Sequence, residues 1–490
     1  MFRKATPEEV GIPSAAILQF IQTLESYQLK THSVIIARGD AIVAEGYYAP
    51  FTADTLHRQY SVSKSFVALA VGLAAQEGLL SLDDHVMTHL PEYRGLIKDD
   101  RIEEATVRDM LCMNTAMVDY SPWWGKQDRI AAYFEKPSRQ IPGTNFFYDS
   151  AGAFLLGCVV EKLTGKRFLE YLKEKLLLKM GFSAESYCLL APGGHSHGDS
   201  GVMCTARDLL IFARLLMDKG QVNGEQLIDR DFMEAAIAKQ VPTDGKDMIA
   251  TFGTHGYGYL IWKMPRDGFG LFGMADQYAI CDPQTDVIFI LNSENMDCPS
   301  SRALILHALY NTVIADIGDP LPADDAAAAQ LAGYLSSREL VHLKDTVHSP
   351  LADTVNGVKY LTEPNAMGIE YITLHLNGDS GVLEYKNADG VNELAFGMGH
   401  NVFGKFPGQK RIGLTASVYE DGAYDCAASA QWSAPDTLHI LAQIIDTYMG
   451  TLSISLAFKD DRMSIAMHKH AQYILDNYAG YAVGIRAQGS

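Results

Sequence analysis

The sequence predicts an α+β protein. It is an antiparallel sheet flanked by helices, with an all-helical lobe beside it, followed by a C-terminal antiparallel β-barrel or sandwich. Three observations lead there. Strand-like segments stand at both ends of the first 320 residues, as near Ser33–Ala37 and Val287–Leu291. The stretch between, from Ser61 to about Gln240, is rich in Ala and Leu and broken by Gly, Pro and Asn loops, which is helical texture. Beyond about residue 350 apolar and polar residues alternate, the mark of antiparallel sheet with one buried face.

In chain order, residues 13–27 read as a helix. Ser33–Ala37 and Ala41–Ala44 then flank Arg38–Gly39–Asp40, a hairpin signal. Phe66–Gln76, Arg108–Met113, Ala153–Leu163 and Ala206–Lys219 read as helices, the last closed by Gly220 as its cap. Strands return at Gly258–Trp262, Gln277–Cys281 and Val287–Leu291, and a helix follows over Ser301–Ile314. The two strand groups must meet in one sheet, with the helical middle (about 61–250) as a separate lobe and a cleft between them. Asp319–Pro320–Leu321–Pro322 breaks the chain. The expected division is a domain over 1–320, a linker helix within 321–340 (Ala323–Leu335), and a β domain over 341–490. In that last part Ile369, Tyr371, Thr373 and His375 alternate with Glu370, Ile372, Leu374 and Leu376. Ile454, Leu456 and Phe458 share one face, as do Met463, Ile465 and Met467.

A chain of 490 residues exceeds one ordinary core, and 48% hydrophobic with 20% charged residues fits a globular enzyme. The formal net charge of -19 makes nucleic acid and anionic membrane poor partners. No long apolar run follows the first basic residues, and the longest, Phe66–Ala75, is too short to span a bilayer. The expectation is therefore a cytoplasmic protein. The seven cysteines form no C-x-x-C pair and their count is odd, so reduced, buried thiols are expected rather than disulfides or a zinc site.

Chemistry concentrates at Gln59–Tyr60–Ser61–Val62–Ser63–Lys64–Ser65–Phe66, which contains S-x-x-K where a loop enters a long apolar helix. Positions i and i+3 share a helix face, so the Lys64 amine can reach the Ser61 hydroxyl. A serine hydroxyl needs such a neighbour to become a nucleophile, and the free N–H groups of a helix start can hold an oxyanion. Taken alone, the motif equally describes a capping serine and a solvated lysine. A second element, Ile141–Pro142–Gly143–Thr144–Asn145–Phe146–Phe147–Tyr148–Asp149–Ser150, precedes another apolar helix. Tyr148 there is either a packed aromatic or, beside an ammonium, an acid–base group.

With both elements in place, the sequence resembles the serine β-lactamase and penicillin-binding superfamily, on the branch related to class C β-lactamases. That branch includes esterases, D-aminopeptidases and 6-aminohexanoate-oligomer hydrolases. The resemblance spans about residues 5–315. It is carried jointly by YSVSKSF, EGLLSLDDHVMTHLPEY, VRDMLCMNTAM, PGTNFFYDSAGAFLLGCVVEKLTGK and GVMCTARDLLIFARLLMDKG. It implies a β-lactamase-like fold for the first domain, with Ser61 as the acylated nucleophile and Lys64 as its partner. Tyr148 would be the general base of acylation and later the proton donor. Ser150 takes the third place of a Y-x-N motif that has Asn in amide-hydrolysing members; its hydroxyl still offers a donor and an acceptor to orient Lys64 or a substrate carbonyl. The third motif, K-T-G or H-x-G in relatives, falls on Leu271–Phe272–Gly273 when counted back from Gln277–Tyr278, with Gly270 offering a second register. The glycine is kept and the cation is lost, nearer the A-x-G form of 6-aminohexanoate hydrolases. Gly273 would admit a substrate backbone, and the N–H groups of Ser61 and Met274 would form the oxyanion hole.

His195–Ser196–His197–Gly198–Asp199 reads H-x-H-x-D, which can bind zinc. It lies in the family's glycine-rich loop, so loop hydrogen bonding or a cleft rim is the preferred reading and no metal is expected. No organic cofactor is implied. Tyr120, Trp123 and Trp124, with Tyr60, are candidates for lining a substrate pocket. The expected activity is two-step hydrolysis of a small ester, amide or short peptide. A β-lactamase, D,D-peptidase or D-aminopeptidase is the rival inside the class, disfavoured by Leu271 and the missing export signal. A catalytically silent ligand-binding homologue is the rival outside it, disfavoured by the retained Ser61, Lys64 and Tyr148. The β domain shows no chemistry of its own; the resemblance implies that it packs by the cleft or mediates a homo-oligomer.

Overall fold

The computed structural model describes residues 2–117, 126–243, 256–344, 348–408, 410–412, 418–420, 422–472 and 474–488. The chain divides into two compact units, Met1–Asn295 with Pro299–Glu339, and Leu340–Ser490 with Met296–Cys298.

The first unit opens with β1 (Arg3–Lys4), α1 (Ser14–Ser26), β2 (Thr31–Arg38) and β3 (Ala41–Tyr47). β4 (His57–Arg58) leads through a 3₁₀ turn at Tyr60–Val62 into α2 (Ser63–Gln76). α3 (Val107–Leu111), α4 (Ser150–Thr164), β5 (Val202–Cys204) and α5 (Ala206–Met217) follow. The chain then returns through β6 (Trp262–Lys263), β7 (Phe269–Gly273), β8 (Gln277–Asp282) and β9 (Val287–Ser293), and ends on α6 (Ser301–Leu309) and α7 (Asp325–Ser336).

Seven strands form one sheet in the order β1-β3-β2-β9-β8-β7-β6. β9 runs antiparallel to β2 from Val287–Arg38 to Ser293–Thr31, so the early hairpin and the late strands close a single sheet as the sequence requires. Both β8 and β9 are buried along their whole length, which is why they read as continuous rather than alternating apolar runs. α2 is buried from Ser63 to Ala74, and a helix apolar all round can only sit in an interior. α5 starts from a reciprocal Thr205–Asp208 capping box, and Gly220, at φ +82°, follows its end.

Two expectations need correction. Gly258–Trp262 is not a strand; only Trp262–Lys263 pairs with β7. Leu260 takes a left-handed φ of +54°, and its N–H donates to Leu111 O, while the Tyr259 N–H donates to Ala236 O. These backbone groups are satisfied by helix ends, so no ladder forms. The expected linker helix, α7, belongs to the first unit: Leu331 and Leu335 are buried, Gly46 on β3 leaves room for Leu335, and Arg338 pairs with Glu25 at 3.2 Å.

The second unit continues with β10 (Lys359–Thr362), β11 (Tyr371–Asn377), β12 (Ser380–Asn387), β13 (Gly390–Met398), β14 (Asp425–Ala434), β15 (Thr437–Ile445), β16 (Met449–Lys459), β17 (Arg462–His470) and β18 (Gly480–Arg486). Their order is β13-β12-β11-β10-β18-β17-β16-β15-β14, and a parallel pairing of β13 with β14 at Gly397–Ser429 closes a barrel. Closure removes the free edges of a long sheet. The alternating residues Ile454, Leu456, Phe458, Met463, Ile465 and Met467 all point inward, where Tyr360, Phe396 and Trp432 join them in one core. The seven cysteines are free thiols. Among the described residues, no helix is long and apolar enough to cross a membrane.

Candidate active site

The nucleophile turn is fixed from both sides before its chemistry is considered. β4 pairs with β5, His57 opposite Cys204, and the Gln59 N–H donates to Val202 O at 2.9 Å. The Gln59 amide spans His57 O at 3.0 Å and Asn292 Oδ1 at 3.2 Å, tying the turn to β9. Tyr60 then adopts φ +45°, an uncommon conformation for a residue with a Cβ, just before Ser61.

Ser61 is half-buried. Its Oγ accepts a hydrogen bond from Lys64 Nζ at 2.8 Å. The same ammonium donates to the Asp199 backbone carbonyl at 2.7 Å and lies 5.1 Å from the centre of the Tyr148 ring. Lys64 is 1% exposed, so its charge is held by directed hydrogen bonds rather than by water. The neighbouring serines are committed elsewhere. Ser63 Oγ accepts from the Val202 N–H at 2.9 Å, and Ser65 Oγ donates to Leu260 O at 2.8 Å.

Tyr148 sits on the loop entering α4. The loop is pinned by the Phe147 N–H donating to Met113 O at 2.9 Å, and by Asp149, which caps α4 through the Ala151 and Gly152 N–H groups. Burial pushes the Asp149 carboxyl above its ordinary range, opposed by the Thr115 hydroxyl that donates to it at 2.8 Å. Tyr148 stacks on Trp262 with ring centres 5.6 Å apart and planes 17° apart. Ser150 is the first residue of α4; the Lys64 hydrogen bonds go to Ser61 and to the Asp199 carbonyl, not to Ser150.

The third motif lies in β7, where Gly273 pairs with Gln277 and Leu271 with Ala279. Leu271 is 1% exposed and presents no polar group. Gly273 packs against the nucleophile turn itself: a Cβ there would overlap the Gln59 carbonyl oxygen and come within 2.8 Å of Gln277 Cβ. The glycine expected to admit substrate is thus needed first for packing β7 against the turn. Met274 begins the β7–β8 turn, in which Ala275 and Asp276 take φ +63° and +68°, and its carbonyl accepts from the Gln277 amide at 3.0 Å. The nearby cations Lys263 and Arg266 are engaged away from β7, with Asp267 O and Asp282 respectively. Arg302 on α6, which the sequence reading did not single out, lies over the Phe272 ring at 5.4 Å and donates to Tyr278 OH at 3.1 Å.

The H-x-H-x-D residues do not converge. His195 Nδ1 meets Glu161 at 3.1 Å, whereas His197 faces the Asp199 carboxylate at 3.4 Å and is buried with it. Among the described residues there is no cluster of three or more His, Cys, Asp or Glu able to hold a metal. Burial raises the Asp199 carboxyl, with Lys64 opposing that shift. Tyr60, expected to line a pocket, is instead 2% exposed, with the Arg58 guanidinium 4.6 Å over its ring; the left-handed backbone turns it into the interior. Tyr120, Trp123 and Trp124 lie outside the described residues.

Comparison with known proteins places these features. Residues 17–307, more than half of the chain, match the family described as Beta-lactamase. A 6-aminohexanoate-dimer hydrolase from Paenarthrobacter ureafaciens is 27% identical over 345 residues, 65% of this chain and 86% of that protein. A β-lactamase from Lysobacter lactamgenus is 28% identical over 193 residues, 35% of this chain and 49% of that one. Among solved structures, a candidate 6-aminohexanoate-dimer hydrolase from Bacillus anthracis superposes with a TM-score of 0.50 at 18% identity, covering 63% of this chain and 87% of that chain.

Proposed function

The chain belongs to the β-lactamase family, and from that premise we propose that it hydrolyses its ester or amide substrate through an acyl-enzyme on Ser61. The observation that carries this reading is the Lys64–Ser61 hydrogen bond of 2.8 Å at a half-buried hydroxyl, made by an otherwise enclosed ammonium. Lys64 holds the Ser61 hydroxyl through this hydrogen bond, and Tyr148, whose ring centre lies 5.1 Å from Lys64 Nζ, is assigned as the general base. In the reacting form Tyr148 is the phenolate, balanced by the Lys64 ammonium; Ser61 Oγ attacks the carbonyl carbon while its proton passes to the phenolate oxygen. The tetrahedral oxyanion is assigned to the N–H groups of Ser61 and Met274. Collapse breaks the bond to the leaving group, which departs with the proton from Tyr148. Water then attacks the acyl-enzyme by the same route and releases the acid and free Ser61.

The substrate class is a small ester, amide or short peptide, a reading supported by the likeness to a relative named 6-aminohexanoate-dimer hydrolase. With Leu271 in place of the third-motif cation, neutral carbonyl compounds are preferred over anionic ones. One observation favours a second reading, a β-lactamase-type preference for carboxylates: Arg302 brings a guanidinium to Phe272. A screen of p-nitrophenyl esters, D-amino acid amides and nitrocefin separates the two.

The test of the proposal is a fluorophosphonate probe followed by peptide mapping. Label is expected on Ser61, and the folded Ser61→Ala variant should lose both label and turnover. Label on Ser63 or Ser65, or turnover surviving in Ser61→Ala, would overturn the assignment.

A further inference from the structure

Trp262 takes no part in the steps assigned to Ser61, Lys64 and Tyr148. It begins β6, where it pairs with Gly270 of the third-motif strand. Its indole is 3% exposed. One contact is the stacked Tyr148 ring. The Tyr257 ring meets it nearly edge-on, with centres 4.6 Å apart and planes at 79°. Phe146, two residues before Tyr148, packs on both Trp262 (5.7 Å) and Tyr257 (5.2 Å). The indole is therefore a direct link between the sheet strand β7 and the loop that carries the phenol.

Tyr257 differs from Tyr148 in its surroundings. It is fully buried, and burial together with the neighbouring Tyr148 holds its hydroxyl well above the ordinary phenol range. Of the two adjacent phenols, Tyr257 stays neutral and Tyr148 alone is half-exposed and near Lys64. A tyrosine loop without a stacking partner is free to rotate about χ1 and χ2, and rotation of a catalytic proton carrier by about 1 Å costs rate without changing substrate contacts.

We propose that Trp262 is a positioning residue for Tyr148: its indole fixes the plane of the phenol ring and so the place of its oxygen against Ser61. The proposal rests on the reading of Tyr148 as general base. It is tested by a double-mutant cycle on the full chain with p-nitrophenyl acetate. Trp262→Leu removes the stacking face; Trp262→Phe retains a smaller one and serves if the leucine variant does not fold. Trp262→Leu should lower kcat by about ten- to a hundredfold with KM within about threefold, and Trp262→Phe should recover most of that loss. In a Tyr148→Phe background, which has no proton to position, either Trp262 substitution should cost less than about threefold. An equal loss in both backgrounds, or an effect confined to KM, overturns the proposal and makes the indole a packing or substrate-binding group. Failure of the underlying reading looks different, because Tyr148→Phe alone would then keep wild-type kcat.

Discussion

Gly273 on β7 lies directly against the backbone carbonyl of Gln59, two residues before Ser61, with no room for a Cβ between them. Gly273 has no left-handed φ, so its identity is imposed by this contact rather than by backbone conformation. Under the proposed mechanism, this contact would set the spacing of the N–H groups of Ser61 and Met274, the assigned oxyanion donors. Gly273→Ala should push β7 away from the turn. The expected outcome is a fall in kcat of at least about tenfold with a stability loss of roughly 1–3 kcal/mol, the usual cost of one methyl forced into a packed site. Steady-state kinetics beside a thermal melt checks this. An alanine variant with unchanged kcat would show that the strand contact plays no part in the reaction.

Tyr148→Phe keeps the ring and its stacking on Trp262 and removes only the hydroxyl. A proton-transfer group is worth roughly a hundredfold to ten-thousandfold in rate, so kcat on p-nitrophenyl acetate should fall within that range while the melting temperature holds. Retention of more than about half of the wild-type kcat would make Tyr148 a packing residue only.

The parts of the site that could be read from the sequence are those set by short spacing. Ser61 and Lys64 are three residues apart, and that spacing alone brings hydroxyl and amine together. The closing of two distant strand groups into one sheet followed from their texture, since neither could bury both faces alone. What escaped depends on backbone atoms and on residues far apart in the chain. The second acceptor of Lys64 is a main-chain carbonyl 135 residues away, which no side-chain motif announces. Trp262 was hidden because Gly258–Trp262 has the composition of a strand, whereas Leu260 takes a left-handed φ and the indole stacks on Tyr148. The H-x-H-x-D spacing suggested convergence, but its two imidazoles face different acids, Glu161 and Asp199.

That divergence has a consequence in solution. Exhaustive chelation should leave activity unchanged, as should His195→Ala, because the His195 imidazole is engaged with Glu161. Rates before and after dialysis against EDTA, with and without added zinc, check this. Activity lost to the chelator and restored by zinc would return His195, His197 and Asp199 to consideration as ligands.

Acid stability should depend on the buried pair His32 and His57. His32 Nδ1 and His57 Nε2 are 2.8 Å apart in the interior, and His57 Nδ1 faces the Arg58 carbonyl at 3.2 Å. The His32 ring also stacks on Phe51 with centres 4.1 Å apart. Burial lowers His57 to about 4, opposed by the Arg58 carbonyl. His32 is held well below its ordinary range by burial first, then by His57 and Lys30. Buried His197 is lowered too, by burial and then by Arg58, Arg129 and Lys64. In the unfolded chain each imidazole takes a proton near pH 6.5. Between about pH 6.5 and 4 the unfolded state therefore binds more protons than the native one, and stability must fall as pH falls through that window. Well above pH 6.5 all forms are neutral and these groups contribute no slope. A shift from 6.5 to about 4 for His57 alone corresponds to roughly 3 kcal/mol lost across the window, at about 1.4 kcal/mol per pH unit and per histidine. Urea melts at half-unit steps from pH 7.5 to 4 should show this decline, and a His32→Gln/His57→Gln variant, whose amides do not titrate, should show a clearly shallower one. Parallel pH profiles for the two proteins would mean that the pair is already protonated in the native state, and that the acid sensitivity arises elsewhere in the chain.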